Sequence, residues 1–140
     1  MHQKGFTLLE VLVAIVVLSI GLLGLAGLMA SSVRNNHSAY QRTQASWLAY
    51  DMVDRMRANR ANAVTVTSYN VAIGAASASS GLALADVNDW KIALAATLPA
   101  GDGSVTVTAA TGLATVVVQW NDARGTGGNA VQQVRVDTQL

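Results

Sequence analysis

The chain has no cysteine, a single proline, few aromatic residues and few charges, the last making up 12% of its 140 residues. Without cysteine there is neither a disulfide nor a thiolate nucleophile, and because that lack suits any compartment it does not locate the protein. Its two histidines, His2 and His37, are too few and too far apart for a zinc site of three or four ligands. A net charge of +1 excludes a strongly basic nucleic-acid binder and a strongly acidic chain, so no nucleic acid is expected as a partner. No Ser/His/Asp or paired-carboxylate arrangement stands out for catalysis. The glycine-rich stretch 121–130 lacks the lysine of a phosphate loop and sits between strand signals rather than before a helix. Asp86, Asp89, Asp102 and Asp122 match no EF-hand spacing. The expectation is a protein that is not an enzyme and needs no cofactor or metal.

What is present is a long apolar run. Hydrophobic residues make up 51% of the chain and concentrate in its first third. After Glu10 no charge appears until Arg34, a span longer than the ~20 residues that carry a helix across a bilayer. A helix satisfies its backbone hydrogen bonds internally, which lipid demands. Lys4 before the span and Arg34 after it are too thin a bias to set orientation. A secretory signal peptide would have a shorter apolar stretch, followed by its cleavage site. Glu10 stands at the start of this helix, either at headgroup level, where it costs little, or seeking a positive partner from another subunit.

The neighbours of Glu10 bear on that choice. Lys4-Gly5-Phe6-Thr7-Leu8-Leu9-Glu10-Val11-Leu12 closely resembles the class III signal of type IV pilins and pseudopilins. The resemblance implies that a prepilin peptidase cuts after Gly5, that the new terminal Phe6 is N-methylated, and that Glu10 pairs with the terminal amine of a neighbouring subunit during assembly. Electrostatics agrees, since a carboxylate in an apolar filament core needs a compensating ammonium. Gly21, Gly24 and Gly27 interrupt the apolar run every third residue. They serve either close helix packing in the membrane or a local weak point in the helix.

Beyond residue 30 the chain turns polar but stays helical, with no proline or glycine from Met29 to Ala63. Ala45, Leu48, Ala49, Met52, Val53 and Met56 form one apolar stripe at helical spacing. Asp51–Arg55 and Asp54–Arg57 are surface pairs at helical spacing. Tyr40, Trp47 and Tyr50 lie beside the stripe, packed in part against the head or touching a neighbouring subunit. Arg55, Arg57 and Arg60 complement the helix dipole at its end. One helix over residues 6–60 would be ~80 Å long.

Residues 61–85 read mainly as a loop able to cover a sheet, with a short strand at Val64–Thr67. Residues 86–98 read as a short helix capped by an Asp or Asn near its start, with Trp90, Leu94 and Leu98 on one face. Pro99 to Gly103 end it. Strands are expected at 104–108, at 113–120 with Val116, Val118 and Trp120 sharing a face, and at 133–138 with Val134 and Val136 inward. The predicted fold is α+β and type IV pilin-like: a long N-terminal helix, half membrane-spanning and half amphipathic, packed on a small antiparallel meander. Its organisation is a leader over 1–5, a transmembrane or filament-core helix over 6–30, an amphipathic half over 31–60 and a small head over 61–140.

The segments Asn35 to Tyr40, Gln44 to Arg60, Asp89-Trp90-Lys91, Leu98 to Gly103 and Val116 to Asp122 together resemble the type IV pilus modification protein (PilV) family of minor pilins. That resemblance implies a single-pass inner-membrane protein with its head in the periplasm, later incorporated into a pilus at the cell surface. It implies other minor pilins, the major pilin, the prepilin peptidase and the inner-membrane assembly platform as partners, and a part in pilus assembly, twitching motility and cell adhesion. The missing cysteine pair argues against a major pilin. Two other readings remain: a minor pseudopilin of a type II secretion system, and a tip adhesin or binding subunit.

Overall fold

A computed structural model describes residues 5–65, 67–125 and 127–140. Its elements run in the order α1 (Leu8–Ala58), α2 (Arg60–Thr65), α3 (Gly81–Thr97), β1 (Asp102–Thr108), β2 (Leu113–Trp120) and β3 (Gln132–Gln139). The fold is the expected α+β arrangement, a 51-residue helix followed by a small three-stranded antiparallel sheet.

Helix α1 starts where Thr7 caps it. The Thr7 backbone is extended, and its hydroxyl oxygen accepts from the Glu10 N–H at 3.3 Å, satisfying a donor the helix cannot. The C-terminal half of α1 lays the predicted stripe on the sheet: Ala45, Ala49, Met52, Val53 and Met56 are buried and Leu48 is half-buried. Asn59 breaks the helix, and its N–H donates to the Arg55 carbonyl.

The sheet order is β1-β2-β3, with Val105 opposite Val116 and Val116 opposite Val136. Alternation along β2 buries Ala114, Val116, Val118 and Trp120 against the helices. On β3, Val134 and Val136 face the core but are only partly covered, because β3 forms the edge of the sheet. The other edge is protected. Val71 exchanges two backbone bonds with Val105, at 3.0 and 2.9 Å, and the Asn70 carboxamide oxygen accepts from the Val107 N–H.

Three expectations need correction. The strand at Val64–Thr67 is absent where described, for Val64 and Thr65 belong to α2, while Val66 lies outside the described residues. Tertiary packing outweighs β-branching there: Ala63 is fully buried, Val64 packs on the core, and the Thr65 hydroxyl donates to the Ala61 carbonyl, a bond that suits threonine to a helix. Helix α3 begins at Gly81, five residues before Asp86, so Asp86 is no cap. The apolar run Leu82 to Ala85 joins the helix because Ala83 and Val87 both reach the core. The stretch after α2 is also more than a loose loop, since Tyr69 and Val71 are core residues.

Helix α3 packs beside α1. Trp90 is fully buried, and its Nε1 donates to the Leu48 carbonyl of α1 at 2.8 Å. Leu98 leaves the helix in an extended conformation, as a residue before proline must, and Pro99 then turns the chain into β1. Gly103, the second residue of that strand, lies beneath Trp90; a Cβ at this position would run into the indole ring.

Candidate functional site

Gly5, Phe6 and Thr7 precede the helix, with Thr7 extended, and the helix takes over at Leu8. Phe6 is 83% exposed, so the Gly5–Phe6 bond precedes an accessible non-helical residue. Glu10 stands in the first helical turn, where a negative charge favours the positive end of the helix dipole. Among the described residues its carboxylate has no ion-pair partner. Lys4, the leader's cation, lies outside the described residues.

From Leu8 to Ala30 every side chain is exposed, and the apolar window has a mean hydropathy of 2.8 with none of it buried within the chain. Among the described residues no other part of the protein covers this shaft. Its length and composition suffice to cross a membrane. Apart from the chain neighbours and the helix's own backbone, no described atom lies within 4 Å of a Cβ placed on Gly21, Gly24 or Gly27, so the three leave notches on the shaft. Helical geometry turns each about 60° from the last, so they trace a slanted line rather than one flat face. The helix continues through all three without a break.

The polar half of α1 has two opposite faces. One is the stripe buried against the head. The other carries Tyr40, Trp47 and Tyr50, exposed by 58%, 64% and 56%. More than half of each of these aromatics is therefore open, on the side of the helix away from the buried stripe. At helical spacing they lie on the same side of α1 as Val11, Ile15, Leu18, Leu22, Met29 and Val33 of the shaft. Both expected pairs form, Asp51–Arg55 at 2.9 Å and Asp54–Arg57 at 3.2 Å. Arg55 also reaches Asp86 of α3 at 3.4 Å, a cross-link the sequence did not reveal.

The four head aspartates do not converge. Asp86 accepts from Tyr69 at 2.6 Å, Asp102 pairs with Lys91 at 2.9 Å, and Asp122 accepts from Ser38 of α1. Asp122 is buried, and the glycine-rich connection folds tightly round it: a Cβ on Gly128 would overlap its carbonyl, and one on Gly125 its carboxylate. That close approach explains the glycines without any phosphate-binding role. Among the described residues no group of three or more metal-ligating side chains occurs.

Residues 1–26 match the family model for the prokaryotic N-terminal methylation motif. Neither the curated proteins nor the solved structures yield a match. The matched stretch contains Gly5, Phe6, Glu10 and most of the uncovered shaft. The chain thus opens with a type IV pilin-like prepilin leader running into an apolar anchor helix, as in a type IV pilin or pseudopilin.

Proposed function

We propose that this protein is a minor pilin of the type IV pilus modification (PilV) kind, which helps to start pilus assembly and is itself built into the pilus. It is cut after Gly5, methylated on Phe6, held in the inner membrane by α1 with its head in the periplasm, and then drawn into the filament. Its partners are the prepilin peptidase, the assembly platform, other minor pilins and the major pilin, and the pilus it serves supports twitching motility and adhesion. The protein performs no catalysis of its own.

One observation carries this reading. Among the described residues nothing covers the shaft from Leu8 to Ala30, and Glu10 in its first turn has no ion-pair partner. A bilayer can cover the apolar surface, but a protein neighbour with an ammonium group is needed to compensate the charge away from water. The methylation motif supports that neighbour's identity as another processed pilin terminus. The test is deletion of the gene in its native host, counting sheared surface pili and assaying secreted enzymes from the same cultures. A sharp loss of pili with normal secretion is expected. Normal piliation with failed secretion would make the protein a type II pseudopilin, and loss of surface attachment by fully piliated cells would make it a tip adhesin.

A further inference from the structure

Where α1 leaves its apolar span, a groove of about 570 Å³ lies between the helix and the β2–β3 connection. It is lined by Val33, Arg34 and His37 of α1 and by Ala123, Arg124 and Gly125. Arg34 and Arg124 are both exposed, and neither has an ion-pair partner among the described residues. No carboxylate lines the groove. Asp122 faces an adjoining inner pocket instead, where it is 3% exposed and bonded to Ser38. That pocket shares His37 and Arg124 with the groove and also contains Gln41, a side chain 5% exposed whose Oε1 has no hydrogen-bond partner.

The depth of the groove suggests its occupant. A bilayer's hydrocarbon layer takes about 20 helical residues, and each headgroup layer adds roughly 5–7 Å. With the span ending near Ala30, Arg34 lies about 6 Å beyond the hydrocarbon and His37 about 10 Å. Two free guanidinium groups at headgroup level fit a phosphodiester. In the inner pocket beyond them the Gln41 Nε2 lies 2.9 Å from His37 Nε2, which leaves its Oε1 unsatisfied, and a hydroxyl can serve that free end in either amide orientation because it both donates and accepts. We infer that the groove holds the headgroup of an anionic, hydroxyl-bearing phospholipid, with its phosphate between Arg34 and Arg124 and its glycerol toward Gln41. The lipid docks the head against the membrane before assembly and is left behind on extraction. This inference rests on the reading of α1 as a membrane anchor.

The test reconstitutes the full chain into phosphatidylcholine vesicles carrying traces of acyl-chain spin-labelled phosphatidylglycerol or phosphatidylcholine, and measures their relative association by electron paramagnetic resonance. Phosphatidylglycerol should associate on the order of fivefold more strongly than phosphatidylcholine, and Arg34→Gln with Arg124→Gln should return the ratio to parity. Arg57→Gln with Arg60→Gln removes the same charge at the far end of α1 and should leave the preference intact. Parity in the wild type overturns the inference, as does an equal loss in the control pair, which would mean unspecific attraction. Loss of the preference on adding millimolar inorganic phosphate would make this a free-anion site and overturn the lipid assignment. Carbonate extraction of the same vesicles separates the two layers of argument: a chain that washes off fails as a membrane anchor, whereas an embedded chain without lipid preference fails here alone.

Discussion

Tyr69 ties three elements together. Its hydroxyl donates to Asp86 of α3 at 2.6 Å and accepts from Asn59 at the end of α1 at 3.1 Å, while Arg55 approaches the same Asp86. Burial, and after it the bond to Asp86, push its phenol from the usual value of 10 up to about 12. A raised folded value means that the neutral phenol stabilises the fold. That contribution is full below pH 10 and fades as the pH rises from 10 to about 12. In detergent micelles the full chain should show a tyrosinate absorbance step near pH 12 that Tyr69→Phe removes. The same substitution should cost about 1–2 kcal/mol in urea unfolding at neutral pH, because Asp86 loses a hydrogen bond. Asp102 behaves oppositely. Burial opposes its ionisation, but the Gly74 N–H, Lys91 and the Gly103 N–H outweigh burial and hold its carboxyl below the ordinary range. Its contribution is therefore full above that range and is lost as the pH falls. Glu10 belongs at this scale as well: Glu10→Val should leave membrane insertion unchanged and reduce incorporation into sheared filaments. Wild-type incorporation of that variant would remove the charge-pairing argument.

At the scale of elements, α1 serves two environments and its sequence changes accordingly. The shaft is apolar all round because it needs an apolar surrounding on every side. The far half is amphipathic because the head covers one face only. The opposite face, with Tyr40, Trp47 and Tyr50, lies too far along the helix for lipid to cover, since Trp47 stands about 25 Å beyond Ala30. Trp47→Ala should change the stability of the isolated chain by less than about 0.5 kcal/mol, yet lower its recovery in filaments. A large loss of stability in the isolated chain would show that the residue serves its own fold instead. The glycines of the shaft allow a sharper choice. If close packing is their purpose, Gly24→Ala should be tolerated and Gly24→Leu should impair assembly by filling the notch. Impairment by alanine alone, which strengthens the helix by about 1 kcal/mol, would favour a weak point instead.

At the scale of the molecule, one core joins the far half of α1 to everything after it. Trp90, Trp120, Tyr69, Met52 and Met56 meet there, and the buried apolar residues described form this one cluster. Trp90→Ala should cost about 3–5 kcal/mol, measured as a shift of the urea midpoint by near-ultraviolet circular dichroism in micelles. Unfolding should also be divided: tertiary signals vanish together, while the micelle-bound half of α1 keeps its helical far-ultraviolet signal. Loss of all helicity in the same step would contradict an independent shaft.

The amino-acid sequence by itself determined whatever depends on local pattern. The uncovered shaft follows from a long absence of charge, the buried stripe from helical spacing, and the strands from alternation between turn residues, with β2 at its expected bounds. The leader was legible because glycine, phenylalanine and glutamate hold fixed places a few residues apart. The tertiary structure decided what depends on residues distant in the chain. It drew Val64 and Thr65 into a helix against their propensity, made Tyr69 and Val71 core residues within a stretch that reads as loop, and assigned Asp86 to Arg55 and Tyr69 rather than to a helix end. It also set Arg34 and Arg124 on one groove, although 90 positions separate them. Periodicity records which face of an element is buried. Only the packing of elements against one another determines what each face meets.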